Sequence, residues 1–322
     1  MSLWDSYKKA ALASNRPVAQ LLSEAARLRL SQTRLGLSEY IDYQLYKQDI
    51  SWEEKRAFVG WRTQQVMEDM LVDDYSKFLS LDKVTMYATL SGFNLPIPAL
   101  RATYRSMRPS ALTQLQTKED VAHFFSDPKN LPVYIKRACG GFGRGNVLVS
   151  SFDGARVVLG NGETMSLEEF CSSLDDGRTL GWIFQEPVTP HPEVQRLTRS
   201  NKVSGVRVHT FLSPGGSRIT KAIFKVNAGT RDSDNFVQGT SDNMFGAVDI
   251  ETGKVTRVIA GIGVGQVENP SHPVTGMPIV GFQIPAWNEI VHLVNDAQKA
   301  FPGFLCPGWD IALSANGPII LE

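Results

Sequence analysis

Residues 134–149, YIKRACGGFGRGNVLV, set Gly140, Gly141, Gly143 and Gly145 together with Lys136 and Arg144 between two apolar runs. Glycines this closely spaced let backbone N–H groups approach an anion and adopt positive φ, so the chemistry on offer is the cradling of phosphate oxygens. A dinucleotide fold needs a helix after the loop, with its N-terminus facing the pyrophosphate; here Val147-Leu148-Val149 reads as a strand. A P-loop ends in Gly-Lys-Ser/Thr and enters a helix, and neither happens. A protein kinase keeps its lysine on a later strand and carries HRD and DFG sequences, which this chain lacks. The phosphate-binding arrangement that survives is a flap: two antiparallel strands with a glycine-rich tip, and Lys136 on the strand leading into it. An ordinary glycine-rich hairpin with a solvated lysine is the plainer alternative.

Two further features bear on the choice. WIFQEPV, residues 182–188, reads as an apolar strand ending in the polar pair Gln185-Glu186, and a strand feeding a hinge offers backbone groups to a purine. Beyond it Glu186, with His191 or Glu193, offers acceptors for ribose hydroxyls. The last segment, GWDIALSANGPIILE, reads as a strand pair that puts Asp310 and Glu322 on neighbouring antiparallel strands. Two carboxylates so placed make a hard-oxygen site for Mg2+ bridging phosphates. Taken singly, each carboxylate reads as a solvated strand end, and Glu186 as half of a surface salt bridge. Three such features in this order argue for one shared site.

Covalent chemistry finds little support. There is no GxSxG, no HExxH and no paired Cys and His, and the five histidines show no metal spacing. His209 and His292 read as packed or surface residues, and Cys139, among glycines, as a small packing residue.

The elements that must position these groups change character near residue 80. Before it, Val18, Leu21, Leu22, Ala25 and Leu28 recur at helical spacing. Ser51-Trp52-Glu53-Glu54 is a capping-box start for a helix predicted to run through Phe58, Trp61 and Met67. Tyr40, Tyr43, Tyr46 and Trp52 read as packing within the fold. Helices are expected over 83–91, over 119–125 with its start at Thr117, from Ser166, and over 285–300. From residue 131 short strands alternate with turns, among them the hairpin GAVDIETGKVTRVIA, whose turn is Thr252-Gly253. The expected class is α+β, with a helical front over 1–80 and mainly antiparallel sheet behind it.

Composition sets the outer bounds. The 322 residues are 42% hydrophobic, enough for two or three packed subdomains. Thirty-three basic residues balance 33 acidic ones, so no overall field recommends nucleic acid or an anionic membrane as partner. Cys139, Cys171 and Cys306 form no CxxC, which argues against a disulfide framework or zinc site and fits a reducing cytoplasm. The N-terminus lacks the apolar core of a signal peptide, and no segment has the length of a membrane-spanning helix.

Several stretches in this order carry a resemblance: LDKVTMYATLSGFNLPIP, the flap itself, FQEPVTPHPEV, SNKVSGVRVHTFL, DNFVQGT, HPVTGMPIVGFQIPAWNEIV and the closing strand pair. From about residue 83 to 322 the chain resembles the ATP-grasp superfamily, and most closely its sugar-transfer-associated branch. The lead-in LSEYIDYQLY and ISWEEKRAFVGWR is also similar to the region preceding the core in that branch. The resemblance implies an ATP-grasp fold of two α+β subdomains clasping ATP. The core is expected to be divided into 81–130, a nucleotide-flap part over 131–190, and a metal and substrate part over 191–322.

Carried over residue by residue, the resemblance makes Lys83 and Lys136 the nucleotide-contacting lysines. Gly140, Gly141, Gly143, Arg144 and Gly145 become the flap, with Gln185, Glu186, Val188 and Glu193 at the adenine and ribose. Asp310 and Glu322 match metal-binding acids, and Arg207 and Asn235 match polar residues facing phosphates and acceptor, with a structural ion pair as the alternative for Arg207. Similar sequences carry Gly-Asn or Val-Asn after the last glutamate, which the resemblance implies supplies a further metal ligand. The implied activity is ATP- and Mg2+-dependent ligation of a small carboxylate to an amine through an acyl phosphate, with a homodimer as the expected assembly. An ATP-grasp kinase and a non-catalytic nucleotide-binding module are the alternatives.

Overall fold

The protein is described by a computed structural model covering residues 2–106, 111–140, 145–175, 180–228, 234–239 and 241–322. Strands before residue 186 join one sheet and strands after it another. The first contains β1 (Leu100–Tyr104), β2 (Thr113–Leu115), β3 (Val133–Arg137), β4 (Val147–Phe152), β5 (Arg156–Leu159), β6 (Thr164–Ser166) and β7 (Trp182–Gln185), in the order β2-β1-β7-β3-β4-β5-β6. The second contains β8 (Gly205–Ser213), β9 (Gly216–Val226), β10 (Met244–Val248), β11 (Val255–Ala260), β12 (Val267–Glu268), β13 (Gly308–Ser314) and β14 (Gly317–Ile320), in the order β12-β11-β10-β9-β8-β13-β14. Among the described strands only β1 and β2 pair in parallel. The class is the expected α+β.

Helices α1 (Leu3–Ser14), α2 (Val18–Leu30) and α3 (Leu37–Asp42) share a small core of Tyr7, Leu21, Leu28, Tyr40 and Ile41. Tyr40 and Tyr46 are buried in it, as expected, whereas Tyr43 is half exposed and packs on the Phe58 ring. The helix predicted to run from Trp52 past Trp61 is two: α4 (Trp52–Ala57) and α5 (Trp61–Leu71). The Ser51 capping box does form. The break has a tertiary cause, because the Gly60 N–H bonds to the Thr33 carbonyl and the Trp61 N–H to Glu39 Oε1, drawing residues 58–60 off the helical path. α5 buries none of its side chains, and α6 (Asp74–Leu81) leaves Tyr75, Phe78 and Leu81 exposed beside them.

α7 (Lys83–Gly92) opens the core, capped by the Asp82 carboxylate. α8 (Lys118–Ser126) starts at the Thr117 capping box and α9 (Leu167–Ser173) at Ser166, both as expected. They supply Phe124, Phe125 and Phe170 to a core shared with Trp182 and Phe184 of β7. α10 (Pro192–Thr198) follows β7, and α11 (Trp287–Ala300) lays Trp287, Ile290, Leu293, Val294 and Ala297 on the second sheet, the i, i+3, i+7 pattern of a core-facing helix. Burying each such aliphatic side chain contributes about 1.5–3 kcal/mol. Ala138, Ile183, Met86 and Tyr87 join this second core, so the first sheet and α7 pack directly onto the second sheet.

Candidate functional site

The flap is built as expected at its base. β3 and β4 pair antiparallel, Val133 opposite Val149 and Ile135 opposite Val147. Gly140 and Gly145 have φ of 100° and 77°. Gly141, Gly143 and Arg144 lie outside the described residues.

The chain just after β3 is clamped to the start of α7. Lys83 N–H bonds to the Ala138 carbonyl at 2.9 Å and Gly140 N–H to the Leu81 carbonyl at 3.1 Å. This backbone bridge brings Lys83 and Lys136, 53 positions apart in sequence, to one place. Lys83 Nζ donates to the Gly140 carbonyl at 2.5 Å and lies 3.1 Å from Glu322 Oε1. Lys136 Nζ donates to Tyr87 Oη at 2.8 Å and to the Leu321 carbonyl at 3.3 Å; Tyr87 Oη donates to the same carbonyl at 2.8 Å. Leu321 and Glu322 thus contact both lysines.

Lys136 is 4% exposed and, among the described residues, has no carboxylate within ion-pair distance. Burial pushes its ammonium down to about 7, with Glu322 opposing and the Lys83 charge adding to the fall.

A second cluster sits on the other sheet. Asp310 on β13 and Arg207 on β8 are Cα partners, and Arg207 grips the carboxylate with both Nε to Oδ1 (2.7 Å) and Nη2 to Oδ2 (2.6 Å). Lys225 on β9 reaches Asp310 at 3.3 Å and Asp234 at 3.1 Å, and Asp234 also accepts from the Gly205 N–H at 2.8 Å. Burial works to raise the Asp310 pKa, but Lys225 and Arg207 outweigh it and hold the carboxyl below the usual range. The backbone joins the clusters: Asp310 N–H bonds to the Glu322 carbonyl and Leu321 N–H to the Asp310 carbonyl, both at 2.7 Å.

Gly205 makes this network sterically feasible, since a Cβ there would stand 2.7 Å from the Ile311 carbonyl oxygen and 3.0 Å from Asp234 Oδ2. Gly205→Ala is expected to cost about 1–3 kcal/mol, the range for overpacking, read as a lower urea midpoint at unchanged m.

On the same strand as Arg207, burial and then the Arg207 and Lys221 charges push His209 down to about 4. Its unfolded pKa is near 6.5, so it binds a proton more readily unfolded; its stability contribution is complete above about pH 6.5 and is lost as pH falls through 4. His209→Gln is expected to lose about 2–3 kcal/mol less than the parent between these limits, in urea unfolding at each pH.

The remaining expected residues are more scattered. Gln185 ends β7, buried, opposite Leu100 and Tyr134. Glu186 and Glu193 are exposed and Val188 is half-buried; the Glu186 N–H bonds to the Ala99 carbonyl, and His191 caps α10 by accepting from the Glu193 N–H. Asn235 offers its backbone carbonyl to Ser241 Oγ and Asn243 Nδ2.

Sequence reading overlooked Tyr87 and Lys225. Tyr87 lies four residues after Lys83, on one helical face, and Lys225 is a lysine inside the apolar strand run IFKV, so both left a signal.

Residues 69–322 match the family described as sugar-transfer associated ATP-grasp. The chain belongs to that family. The fold of the family is the one described above, two mostly antiparallel sheets with flanking helices. No curated protein matches the chain.

Solved structures similar to it include N5-carboxyaminoimidazole ribonucleotide synthetase from Thermotoga maritima, at 12% identity and TM-score 0.39 over 77% of this chain and 42% of that one. D-alanine-D-alanine ligase from Coxiella burnetii is similar at 11% identity and TM-score 0.42 over 81% and 53%. The ATP-grasp ligase PsnB, complexed with a minimal precursor, is similar at 15% identity and TM-score 0.38 over 89% and 58%. The chain spans about half of the length of each. Among the described residues no helix is long and apolar enough to cross a membrane.

The residues present suit a nucleotide. A buried ammonium with no carboxylate beside it is a group that a phosphate would neutralise, and Gln185 Oε1 is buried with no hydrogen-bond partner, an acceptor available to an exocyclic amine. They suit a metal more narrowly. Among the described residues no three metal-ligating side chains cluster, so Asp310 and Glu322 are the two carboxylates that would hold a hard divalent cation.

Proposed function

We propose that the protein is an ATP- and Mg2+-dependent ligase that joins a small carboxylate to an amine through an acyl phosphate, releasing ADP and phosphate. The observation that carries this reading is the convergence of Lys83 and Lys136 on the Leu321-Glu322 end, with Asp310 tied to that same end by two backbone bonds. Lys83 pairs with Glu322, Lys136 bonds to the Leu321 carbonyl, and Asp310 is joined to Leu321 and Glu322 through the backbone. Such an arrangement serves positioning and charge neutralisation, the terms that dominate phosphoryl transfer, and requires no protein nucleophile.

In this reading Lys136 and Lys83 bind phosphate oxygens, and Gly140 and Gly145, with Gly141, Gly143 and Arg144, form the flap over them. Gln185, Glu186 and Val188 border the adenine, with Glu193 toward the ribose. Asp310 and Glu322 would hold Mg2+, which when bound would offset the charge of the phosphate oxygens. Arg207, the more exposed member of its pair with Asp310, exchanges that carboxylate for the transferred phosphoryl group or the acyl phosphate, with Asn235 toward the acceptor.

The test is to supply Mg-ATP with pooled small carboxylates and amines and to quantify ADP, AMP and phosphate together. ADP with stoichiometric phosphate, dependent on both a carboxylate and an amine, is the expected result. ADP without phosphate would make the protein a kinase, and AMP would exclude the acyl phosphate route.

A further inference from the structure

The helices before residue 69 lie outside the family match, yet they are bonded into a loop of the second sheet. Gln44, just after α3, is 7% exposed, and its Nε2 donates to the Gly263 carbonyl at 2.8 Å and more weakly to the Gln266 carbonyl at 3.4 Å. Val264 packs on the core of α1, α2 and α3. The loop after β11 therefore meets the helical module through a buried amide and an apolar side chain.

That loop packs in turn on the short turn Val237–Gly239. A Cβ at Gly239 would stand 2.6 Å from both the Gly261 carbonyl carbon and Ile262 Cβ, so the two segments touch with almost no space between them. Gly239 N–H bonds back to the Phe236 carbonyl at 3.0 Å, and Ser241 Oγ bonds to the Asn235 and Phe236 carbonyls at 3.0 and 2.9 Å. The next residue back is Asp234, the partner of Lys225, which reaches Asp310. Contacts thus run without a gap from Gln44 to the Asp310 cluster. The same loop walls an open groove of about 450 Å³, lined among others by Ser241, Asp242, Met244, Gly261, Gly265 and Asn269.

We infer that Gln44 is a positioning residue for the acceptor side of the site: the helical module fixes residues 261–267, and through them residues 234–239 and 241–244 and the groove that they wall, which in this inference is the acceptor's. This rests on the ligase reading only for what occupies the groove. Gln44→Met keeps the length and apolar stem and removes the amide. It is expected to speed amide hydrogen exchange about tenfold in 259–268 and 234–244, the effect of losing one buried hydrogen bond. Exchange in 182–185 and 308–314 is expected to stay as in the parent, and the ADP Kd to change less than twofold. With an acceptor found in the pooled assay, its KM rises about tenfold while kcat stays within about threefold.

Unchanged exchange in 234–244 would overturn the inference. So would faster exchange throughout the second sheet with a parallel loss of ADP affinity, which would mark Gln44 as merely structural. If the parent chain turns over no acceptor in the pool, the ligase reading loses its support while the exchange experiment still decides whether Gln44 positions these segments.

Discussion

Lys136→Met is expected to raise the Kd for ADP by about 100-fold, about 2.7 kcal/mol, while leaving the protein folded and no less stable. The first half follows from the site proposed above: a buried ammonium beside phosphate oxygens makes charge-assisted hydrogen bonds that a thioether cannot replace. The second half follows from the structure without any ligand. Methionine is unbranched and close in length to the lysine stem, and the Tyr87 Oη bond to the Leu321 carbonyl does not involve Nζ.

The pH dependence gives the prediction a sign. The folded pKa of Lys136 is about 7 and the unfolded value near 10.4, so the unfolded chain binds the extra proton between them. The contribution to stability is complete above about pH 10.4 and lost as pH falls through 7. The variant has no such loss, so its urea midpoint relative to the parent rises on going from pH 9 to pH 6. A phosphate beside Nζ restores the charge, so ADP binding to the parent at pH 8 takes up a proton, measurable by titration calorimetry in buffers of different ionisation enthalpy. ADP affinity unaltered in a folded variant would remove Lys136 from the nucleotide site. Cys139→Ala, three residues on, is the matching control, with turnover close to that of the parent.

Lys136 was legible in the sequence because its signal is local. Alternating apolar residues on each side of a glycine cluster define two strands and the loop between them, and the strand after the loop excludes the helix-based phosphate sites. The closing pair was legible for the same reason, since Gly308–Ser314 and Gly317–Ile320 are joined by a short turn. β1 was not legible, because LRATY carries charge and follows Pro96 and Pro98; its place between β2 and β7 is decided by partners distant in sequence. The break between α4 and α5 depends on Thr33 and Glu39, and the tie from Gln44 to Gly263 crosses most of the chain. Neither leaves a periodic trace. Asp310 shows both limits at once: its type and strand suggested a ligand, while its grip by Arg207 and Lys225 comes from a register across three strands that no local pattern encodes.

Asp310 carries the second large effect, and two substitutions separate its two roles. The cluster holds two cations, Arg207 and Lys225, against two anions, Asp310 and Asp234, and Lys225, Asp234 and Asp310 are nearly inaccessible. Asp310→Ala leaves Arg207 without its bidentate partner and Lys225 with Asp234 alone. Removing one member of a buried ion pair costs about 3–5 kcal/mol, because the remaining charge stays desolvated. The expected result is a large fall in the urea midpoint, with or without Mg2+. Asp310→Asn keeps the volume and one carbonyl acceptor for Arg207, so its loss of stability is smaller. It also removes a charge that the proposed metal site requires. In the parent, Mg2+ is expected to tighten ADP binding; in Asp310→Asn that gain falls at least tenfold while metal-free ADP binding changes little, since Lys136 and Lys83 are untouched. If Mg2+ tightens ADP binding equally in both proteins, Asp310 belongs to the ion-pair network of the second sheet and not to the metal site.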